Sequence, residues 1–200
     1  PEVRWVGRDG LPSDADVDPW GWSPLMVQRL LTGGADRSRL PDEARLARYR
    51  ELSNRRHAVD MLAYLCDPDL DLGQKWRDRL CGVSYYCTGE QEIIRRMRQY
   101  PETLLKAPWS GSGKGLRWCR RGLTKSTADW CRRELVNHGA LILEPIYKKE
   151  GDFAMEFYSN GRGKVLFSGY SHFITDEKGV YRGNMLVSNE EVEQWILRYI

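Results

Sequence analysis

One stretch of this chain reads Leu104-Leu105-Lys106-Ala107-Pro108-Trp109-Ser110-Gly111-Ser112-Gly113-Lys114-Gly115-Leu116. It predicts two strands, residues 104–107 and 115–120, joined by a glycine-rich loop that we call the flap (residues 110–115). A lysine at the end of a strand has a fixed position and can neutralise a phosphate oxygen as a point charge. Glycines have no Cβ, so their backbone amides can approach a polyphosphate closely. Taken alone, the flap is explained equally well by an ordinary hairpin loop.

The order of the residues excludes two other phosphate-binding loops. A Walker loop has the pattern GxxxxGK[ST] and opens a helix, and the flap has neither property. A kinase glycine loop precedes its lysine, whereas Lys106 comes before the flap, and the sequence has no HRD-like loop and no DFG.

A second signal follows in Leu141-Ile142-Leu143-Glu144-Pro145-Ile146. Pro145 has no N–H and disfavours a central place in a sheet, so the strand predicted over residues 140–146 is expected to become a linker. There Glu144 can accept a hydrogen bond from an exocyclic amine, while the amide of Ile146 pairs with a ring nitrogen. The alternative is an edge strand with a surface glutamate.

A third signal is the acid in Gly151-Asp152-Phe153. Acidic side chains accept hydrogen bonds from ribose hydroxyls in other nucleotide-binding folds, and Asp152 can do the same. The alternative for Asp152 is a turn residue. His172, on a later strand, either meets a substrate or packs inside the fold.

The remaining pattern predicts an α+β fold, with a helical or mixed N-terminal segment followed by an antiparallel sheet with packed helices. Helices are expected from Pro24, from near Pro41, from Ser53 or Asn54, over residues 90–99, from Thr124 or Ser126 through Asn137, and from Ser188 or Asn189 onward. Further strands are expected over residues 82–87, 153–158 and 165–173, with turns at Asn160-Gly161, at Asp176–Gly179 and at Tyr181–Asn184.

Composition indicates a globular protein, with 41% hydrophobic and 30% charged residues in a chain of 200. The net charge of +3 is too small to indicate nucleic acid as a partner. The five cysteines form no CxxC pair, which favours reduced thiols and a cytoplasmic location. No apolar run approaches the ~20 residues of a membrane span. Arginines crowd residues 37–56, and they form either a solvated helix face or a surface that docks on an acidic partner.

In this order, the three signals resemble the ATP-grasp superfamily, which includes D-alanine–D-alanine ligases, glutathione synthetases and ribosomal-protein glutamate ligases. In that family a strand lysine precedes a glycine-rich flap. A later strand ends in an acid, beside apolar residues that hold the adenine, and a further acid binds the ribose. The resemblance covers residues 100–175, and residues 20–65 resemble the short region that precedes the fold.

The resemblance implies a set of nucleotide-binding residues, namely Lys106, Ser110, Gly111, Ser112, Gly113, Gly115, Glu144, Ile146 and Asp152. Many members also have a basic residue upstream of the flap that contacts phosphate. Arg55 is the candidate for this role, with Arg56 as the alternate. Lys106 and Arg55 are therefore the expected catalytic residues.

The resemblance also implies ATP and Mg²⁺. Family members bind magnesium through acids and an asparagine of a C-terminal lobe, typically as Glu-x-Asn, and no such pattern follows Ile174. We therefore assign no metal ligand in this chain. We expect the chain to be a piece of a longer protein, since it begins at Pro1 without Met and is expected to lack that lobe.

The implied function is that of an ATP-dependent carboxylate–amine ligase, which phosphorylates an unidentified small-molecule or peptide carboxylate to an acyl-phosphate. The alternative is a non-catalytic nucleotide-binding module or an arginine-rich interaction module. The expected domains are an N-terminal mixed α/β pre-grasp segment (residues 1–98) and an ATP-grasp-like nucleotide-binding subdomain (residues 99–200).

Overall fold

The computed structural model describes residues 16–70, 82–111 and 113–199, and the chain divides into two compact units between Asn54 and Arg55. The first unit contains helix α1 (Pro24–Thr32), a 3₁₀ turn (Arg37–Arg39) and helix α2 (Glu43–Leu52). Ser23 begins α1 as predicted, because its Oγ accepts a hydrogen bond from the Met26 amide at 3.1 Å.

The second unit opens with a four-stranded antiparallel sheet. Its elements are helix α3 (Arg56–Leu65), strand β1 (Tyr85–Cys87), helix α4 (Glu90–Gln99), strands β2 (Thr103–Lys106) and β3 (Leu116–Cys119), helix α5 (Lys125–His138) and strand β4 (Leu141–Pro145). The strands lie in the order β1-β4-β2-β3, so β4 occupies the centre although it is the last in sequence. The strands predicted on both sides of the flap are confirmed as neighbours, β2 and β3.

One face of this sheet forms the core. Leu105 of β2 pairs with Leu143 of β4, and both side chains are buried with Ile93 and Met97 of α4 and Cys131 of α5. Each fully buried leucine or isoleucine contributes about 1.5–3 kcal/mol relative to exposure. Successive residues of a strand alternate between faces, so Lys106 and Glu144 lie on the opposite face, away from this core.

The second sheet consists of β5 (Asp152–Ser159), β6 (Val165–Thr175) and β7 (Tyr181–Met185), in that order and antiparallel. Helix α6 (Asn189–Leu197) follows and begins with a capping box between Ser188 and Glu191. Trp195 of α6 stacks on His172 of β6, with ring centroids 4.9 Å apart. His172 is half-buried and packs against α6, which agrees with the second of its two predicted alternatives.

The α+β class with antiparallel sheets is confirmed, and one element differs from the sequence prediction. Tyr181–Asn184, predicted as a turn, belongs to strand β7. This segment lacks apolar alternation, and its strand conformation comes from pairing with β6, where Phe173 is opposite Asn184. The expected domain boundary at residue 98 stays a prediction. Strand β1 and all of helix α4 except Gln99 precede that boundary, and both elements share a core with β2 and β4.

Candidate functional site

An ion pair between β2 and β4 is the centre of the candidate site. Lys106 ends β2, and its Nζ lies 2.5 Å from Oε2 of Glu144. The sheet register places Leu104 opposite Glu144 and Lys106 opposite Ile142, so the two charged residues are diagonal neighbours on one face. Long side chains reach across this diagonal. Each side chain is about a quarter exposed, so the pair lies in a partly enclosed position that a ligand can still reach.

Glu144 has further polar neighbours. Its Oε1 accepts a hydrogen bond from the hydroxyl of Ser84 at 3.2 Å, just before β1. It also acts electrostatically on Arg55, where burial lowers the pKa of the guanidinium and the charge of Glu144 opposes that shift. The glutamate therefore balances two cations, Lys106 and Arg55, on one side of the sheet.

Arg55 lies at the base of the flap. Its Nη1 donates to the carbonyl oxygen of Ala107 at 2.6 Å and to Oγ of Ser110 at 2.7 Å, and its Nη2 donates to the carbonyl oxygen of Ser110. Its backbone amide donates to the carbonyl oxygen of Pro108 at 3.1 Å. In the structure Arg55 holds the chain that leaves β2, and its expected contact with phosphate stays a prediction.

The flap closes with a close approach of its two ends. The Ala107 amide donates to the Gly115 carbonyl oxygen at 2.8 Å. Gly115 has a positive φ of 65°, and a Cβ there would lie 2.7 Å from Cβ of Ser110, so only glycine fits. A Cβ on Gly111, by contrast, would meet nothing within 4 Å. Ser112, also expected to bind nucleotide, lies outside the described residues.

The linker after β4 differs from the expectation in one detail. The Ile146 amide already donates to the carbonyl oxygen of Glu102 at 3.0 Å, which extends the ladder between β4 and β2. Pairing of this amide with a ring nitrogen stays a prediction, and it would require that bond to break. The next residue, Tyr147, is fixed by its hydroxyl, which accepts from the Val83 amide at 2.8 Å.

Asp152 begins β5 and is held by two neighbours. Its Oδ2 lies 2.6 Å from Nζ of Lys149 and accepts from the Thr175 hydroxyl at 2.7 Å. Lys149 also donates to the Thr175 hydroxyl. Asp152 is therefore a strand residue in a polar cluster. Its contact with ribose stays a prediction, and Oδ1 is the oxygen that could make it.

No protein-family model and no curated protein matches the sequence. Among solved structures, the biotin carboxylase domain of 2-oxoglutarate carboxylase from Hydrogenobacter thermophilus, in complex with MgADP, ADP and bicarbonate, is similar to this chain. Its TM-score is 0.50 at 16% identity, over 75% of this chain and 33% of that chain.

Two more solved structures are similar at lower TM-scores. N5-carboxyaminoimidazole synthetase from Staphylococcus aureus, complexed with ADP, has a TM-score of 0.49 at 8% identity, over 76% of this chain and 38% of that chain. A RimK domain ATP-grasp protein from Sphaerobacter thermophilus has a TM-score of 0.38 at 16% identity, over 88% and 58%.

The chain has an ATP-grasp fold. At these identities the likeness concerns the fold alone. The chain spans 33% to 58% of the lengths of these three proteins, so each of them has parts without a counterpart here.

An open cleft of about 620 Å³ lies along β3 of this ATP-grasp fold. Its lining includes four cationic side chains and one acid, which are Arg117, Arg120, Arg121, Lys178 and Glu177. Neither Lys106 nor Glu144 lines the cleft, so the cleft and the ion pair are at different places on the molecule.

Three further observations concern the described residues only. They contain no group of three or more His, Cys, Asp or Glu close enough to hold a metal ion. Their helices are too short or too polar to cross a membrane. Several arginines of the crowded segment make local contacts: Arg39 with Asp16, Arg48 with Glu51 and Arg56 with Asp60.

Two polar residues near the site were not predicted from the sequence. Ser84 contacts Glu144 across 60 positions, which no local pattern signals. Lys149 precedes Asp152 by three residues, a spacing that predicts a side-chain contact only in a helix, and this segment is not helical.

Proposed function

We propose that this chain binds ATP on the face of the first sheet that carries Lys106 and Glu144. The observation that carries the proposal is the contact of 2.5 Å between Nζ of Lys106 and Oε2 of Glu144, beside the base of a glycine-rich flap. A nucleotide has an anionic end and a base with an exocyclic amine donor. One cation and one acceptor, partly enclosed on one face of the sheet, provide a partner for each of these ends once the two side chains separate.

The exchange of partners makes such a site favourable. Without ligand, the lysine and the glutamate neutralise each other, so neither partly buried charge is without a partner. With nucleotide, Lys106 donates to a phosphate oxygen and Glu144 accepts from the exocyclic amine, and each group keeps a partner. Ser84 keeps its hydrogen bond to Oε1 of Glu144, which leaves Oε2 directed to the ligand.

The linker after β4 can supply a backbone donor for the base. Because the Ile146 amide is bonded to Glu102, we propose the amide of Tyr147 as the more available donor. Within the described part of the chain this amide has no hydrogen-bond partner, and the bond from the Val83 amide fixes the tyrosine side chain. Asp152 is the proposed acceptor for ribose hydroxyls.

We further propose that the intact protein is an ATP-dependent carboxylate–amine ligase. This part rests on the resemblance of Lys106, the flap, Glu144 and Asp152 to the family pattern. Magnesium belongs to that chemistry, and the described residues contain no group of three or more His, Cys, Asp or Glu that could hold it. We therefore derive no phosphoryl-transfer step for this chain, and the contribution proposed for it is to bind and orient the nucleotide.

Calorimetric titration with ATP, with and without Mg²⁺, tests the binding proposal. The full chain should bind ATP, and Lys106→Ala should weaken the affinity roughly ten- to hundredfold, because a hydrogen bond to a charged group contributes about 1.5–3 kcal/mol. Lys148→Ala is the matched control. Lys148 lies 3.5 Å from Glu150 with 93% of its side chain exposed, so its removal should leave the affinity within about twofold.

Three experimental outcomes would distinguish the proposed ATP-binding function from its alternatives. No ATP binding, or equal affinity of wild type and Lys106→Ala, would contradict the proposal. ATP binding without ADP release, in the presence of carboxylates and amines, would favour the non-catalytic nucleotide-binding module. Binding of oligonucleotides with a steep dependence on salt, in place of ATP, would favour the arginine-rich interaction module.

A further inference from the structure

The turn between β6 and β7, residues 176–180, reaches the first sheet and the flap. A Cβ on Gly113 in the flap would lie 2.8 Å from Cγ2 of Val180. The flap therefore lies against this turn at a distance that only glycine permits, and Gly113 also has a positive φ of 76°. The second sheet and the flap thus meet directly.

Two more contacts continue along β3. A Cβ on Gly179 would lie 3.3 Å from Cδ1 of Leu116. The indole Nε1 of Trp118 donates a hydrogen bond to the carbonyl oxygen of Lys178 at 3.3 Å. Gly113, Leu116 and Trp118 thus contact Val180, Gly179 and Lys178, respectively. The two segments therefore lie side by side and antiparallel.

Asp176 gives the turn its shape. Its Oδ1 accepts from the amides of Lys178 and Val180, each at 2.9 Å, and its Oδ2 accepts from Nη2 of Arg182 at 2.6 Å. The backbone amide of Asp176 donates to the Val180 carbonyl oxygen at 2.9 Å. Lys178 and Val180 are thus fixed by hydrogen bonds to one carboxylate, and the Gly179 amide donates to the backbone carbonyl oxygen of Asp176 at 2.9 Å.

We propose that this turn is a latch that holds the flap in place, with Asp176 as its positioning residue. The proposal rests on the proposed function, because the flap is taken as the cover of the nucleotide phosphates. Arg55 holds the flap at its base, and the latch holds it at Gly113. A loop fixed at both places loses less conformational freedom when it closes on a ligand, so nucleotide binding is stronger.

The same sheet contains a matched control turn. Between β5 and β6, Oδ1 of Asn160 accepts from the amides of Arg162 and Lys164, at 2.8 and 3.1 Å, and the Asn160 amide donates to the Lys164 carbonyl oxygen. This turn has the same pattern of amide hydrogen bonds as the latch, but its described contacts include no counterpart of the ion pair between Asp176 and Arg182. Asn160→Ala therefore removes an equivalent acceptor, and no described contact joins that turn to the flap.

Hydrogen–deuterium exchange without nucleotide tests the latch by itself. The reporter is the Lys114 amide, which donates to the Gly111 carbonyl oxygen at 3.0 Å inside the flap. Asp176→Ala should accelerate its exchange about tenfold, and Asn160→Ala should not. Asp176→Asn keeps an acceptor for both amides, so it should restore most of the protection. Equal exchange in the Asp176→Ala and Asn160→Ala variants would overturn the latch.

A second pair of variants tests the contact at Gly113. Gly113→Ala introduces a clash with Val180 and an unfavourable φ. Val180→Ala removes the closest contact, that with Cγ2, and leaves the contacts of 3.1 Å with the Gly179 carbonyl oxygen and with Cα of residue 180. If the latch acts through this contact, Val180→Ala in the Gly113→Ala background should recover part of the lost protection. Gly122→Ala controls for backbone strain, since Gly122 has a φ of 69° with nothing within 4 Å of its Cβ.

ATP affinity then separates the latch from the proposed function. Asp176→Ala should weaken ATP binding about threefold to tenfold while the midpoint of urea unfolding stays that of Asn160→Ala. If the exchange results are as expected but the wild type does not bind ATP, the proposed function is wrong, and the turn still holds the flap. If ATP binds but Asp176→Ala leaves the affinity unchanged, the latch is wrong as a positioning device.

Discussion

Arg55 holds the base of the flap with a planar fork of donors. Its two terminal nitrogens bond to the carbonyl oxygens of Ala107 and Ser110 and to the Ser110 hydroxyl. A lysine ammonium is a compact charge on a flexible stem and does not match this geometry.

Arg55→Lys should therefore lower the free energy of unfolding by about 1–3 kcal/mol, because bonds to a charged donor in a partly buried place are lost. The measurement is urea unfolding followed by tryptophan fluorescence. Arg56→Lys is the control at the neighbouring position. Arg56 pairs with Asp60 at 3.5 Å with both side chains mostly exposed, and its guanidinium lies 5.6 Å from the centroid of the Tyr86 ring. A lysine can make both contacts, so the change should stay within about 0.5 kcal/mol. Equal effects of the two substitutions would contradict the role given to Arg55.

At the level of single residues, charge and position in a strand were predictable. Lys106 and Glu144 were both expected at strand ends, and the structure brings them together. The contacts of Arg55 were not predictable, because they join positions 52 and 55 residues apart in the sequence. No local sequence pattern predicts which carbonyl oxygen will accept a hydrogen bond from an arginine that is distant in the sequence.

Among the elements, the turn from Asp176 to Val180 is expected to respond to pH. The Val180 amide, and then Arg182 and the Lys178 amide, lower the pKa of the Asp176 carboxyl below its ordinary value of 3.8. A carboxyl with a lowered pKa in the folded state stabilises the turn above the unfolded value. That stabilisation is lost as the pH falls through the lowered value.

The amide proton resonances of Lys178 and Val180 should therefore be constant from pH 8 to pH 5 and should shift with a midpoint below 3.8. Nuclear magnetic resonance measures this directly. The amides of Arg162 and Lys164, which bond to the uncharged Asn160, should show no such midpoint, and they report any general loss of the sheet. A midpoint at or above 3.8 would show that the carboxylate does not organise the turn.

The elements themselves were predicted unevenly. Helix α5 and strands β2 to β6 have apolar periodicity, caps or turn residues, and their predicted positions agree with the structure to within a few residues. Strand β7 was missed because Tyr181-Arg182-Gly183-Asn184 has no alternation. It is a strand only because β6 offers an edge, and a single sequence does not record pairing that is imposed by a neighbour.

For the whole molecule, the core shared by the first sheet and its helices determines which fragments of the chain can fold on their own. Cys87, Ile93 and Met97 are buried against Leu105 and Leu143, so β1 and α4 belong to the same core as β2 and β4. A chain that starts at residue 99 loses these three side chains and leaves the face they cover open to water.

A chain of residues 55–200 should therefore unfold cooperatively in urea, whereas a chain of residues 99–200 should not. Near-ultraviolet circular dichroism and urea titration make the comparison. Cooperative unfolding of residues 99–200 at the same midpoint would support the domain boundary at residue 98. The loss would be several kcal/mol, since each of the large side chains contributes about 1.5–3 kcal/mol on burial.

The central place of β4 has a consequence for synthesis. Strand β1 pairs with β4, and β4 also pairs with β2, so neither pairing can form until residue 145 has been made. At about 5–20 residues per second, the ribosome takes roughly 3–11 s from the end of β1 to the start of β4. During that interval β1 and the inner edge of β2 are unpaired strands, which are the places where nascent chains associate wrongly. A translational pause between residues 87 and 141 would lengthen this exposure, whereas a pause after β4 has left the ribosome would fall when the sheet can already close.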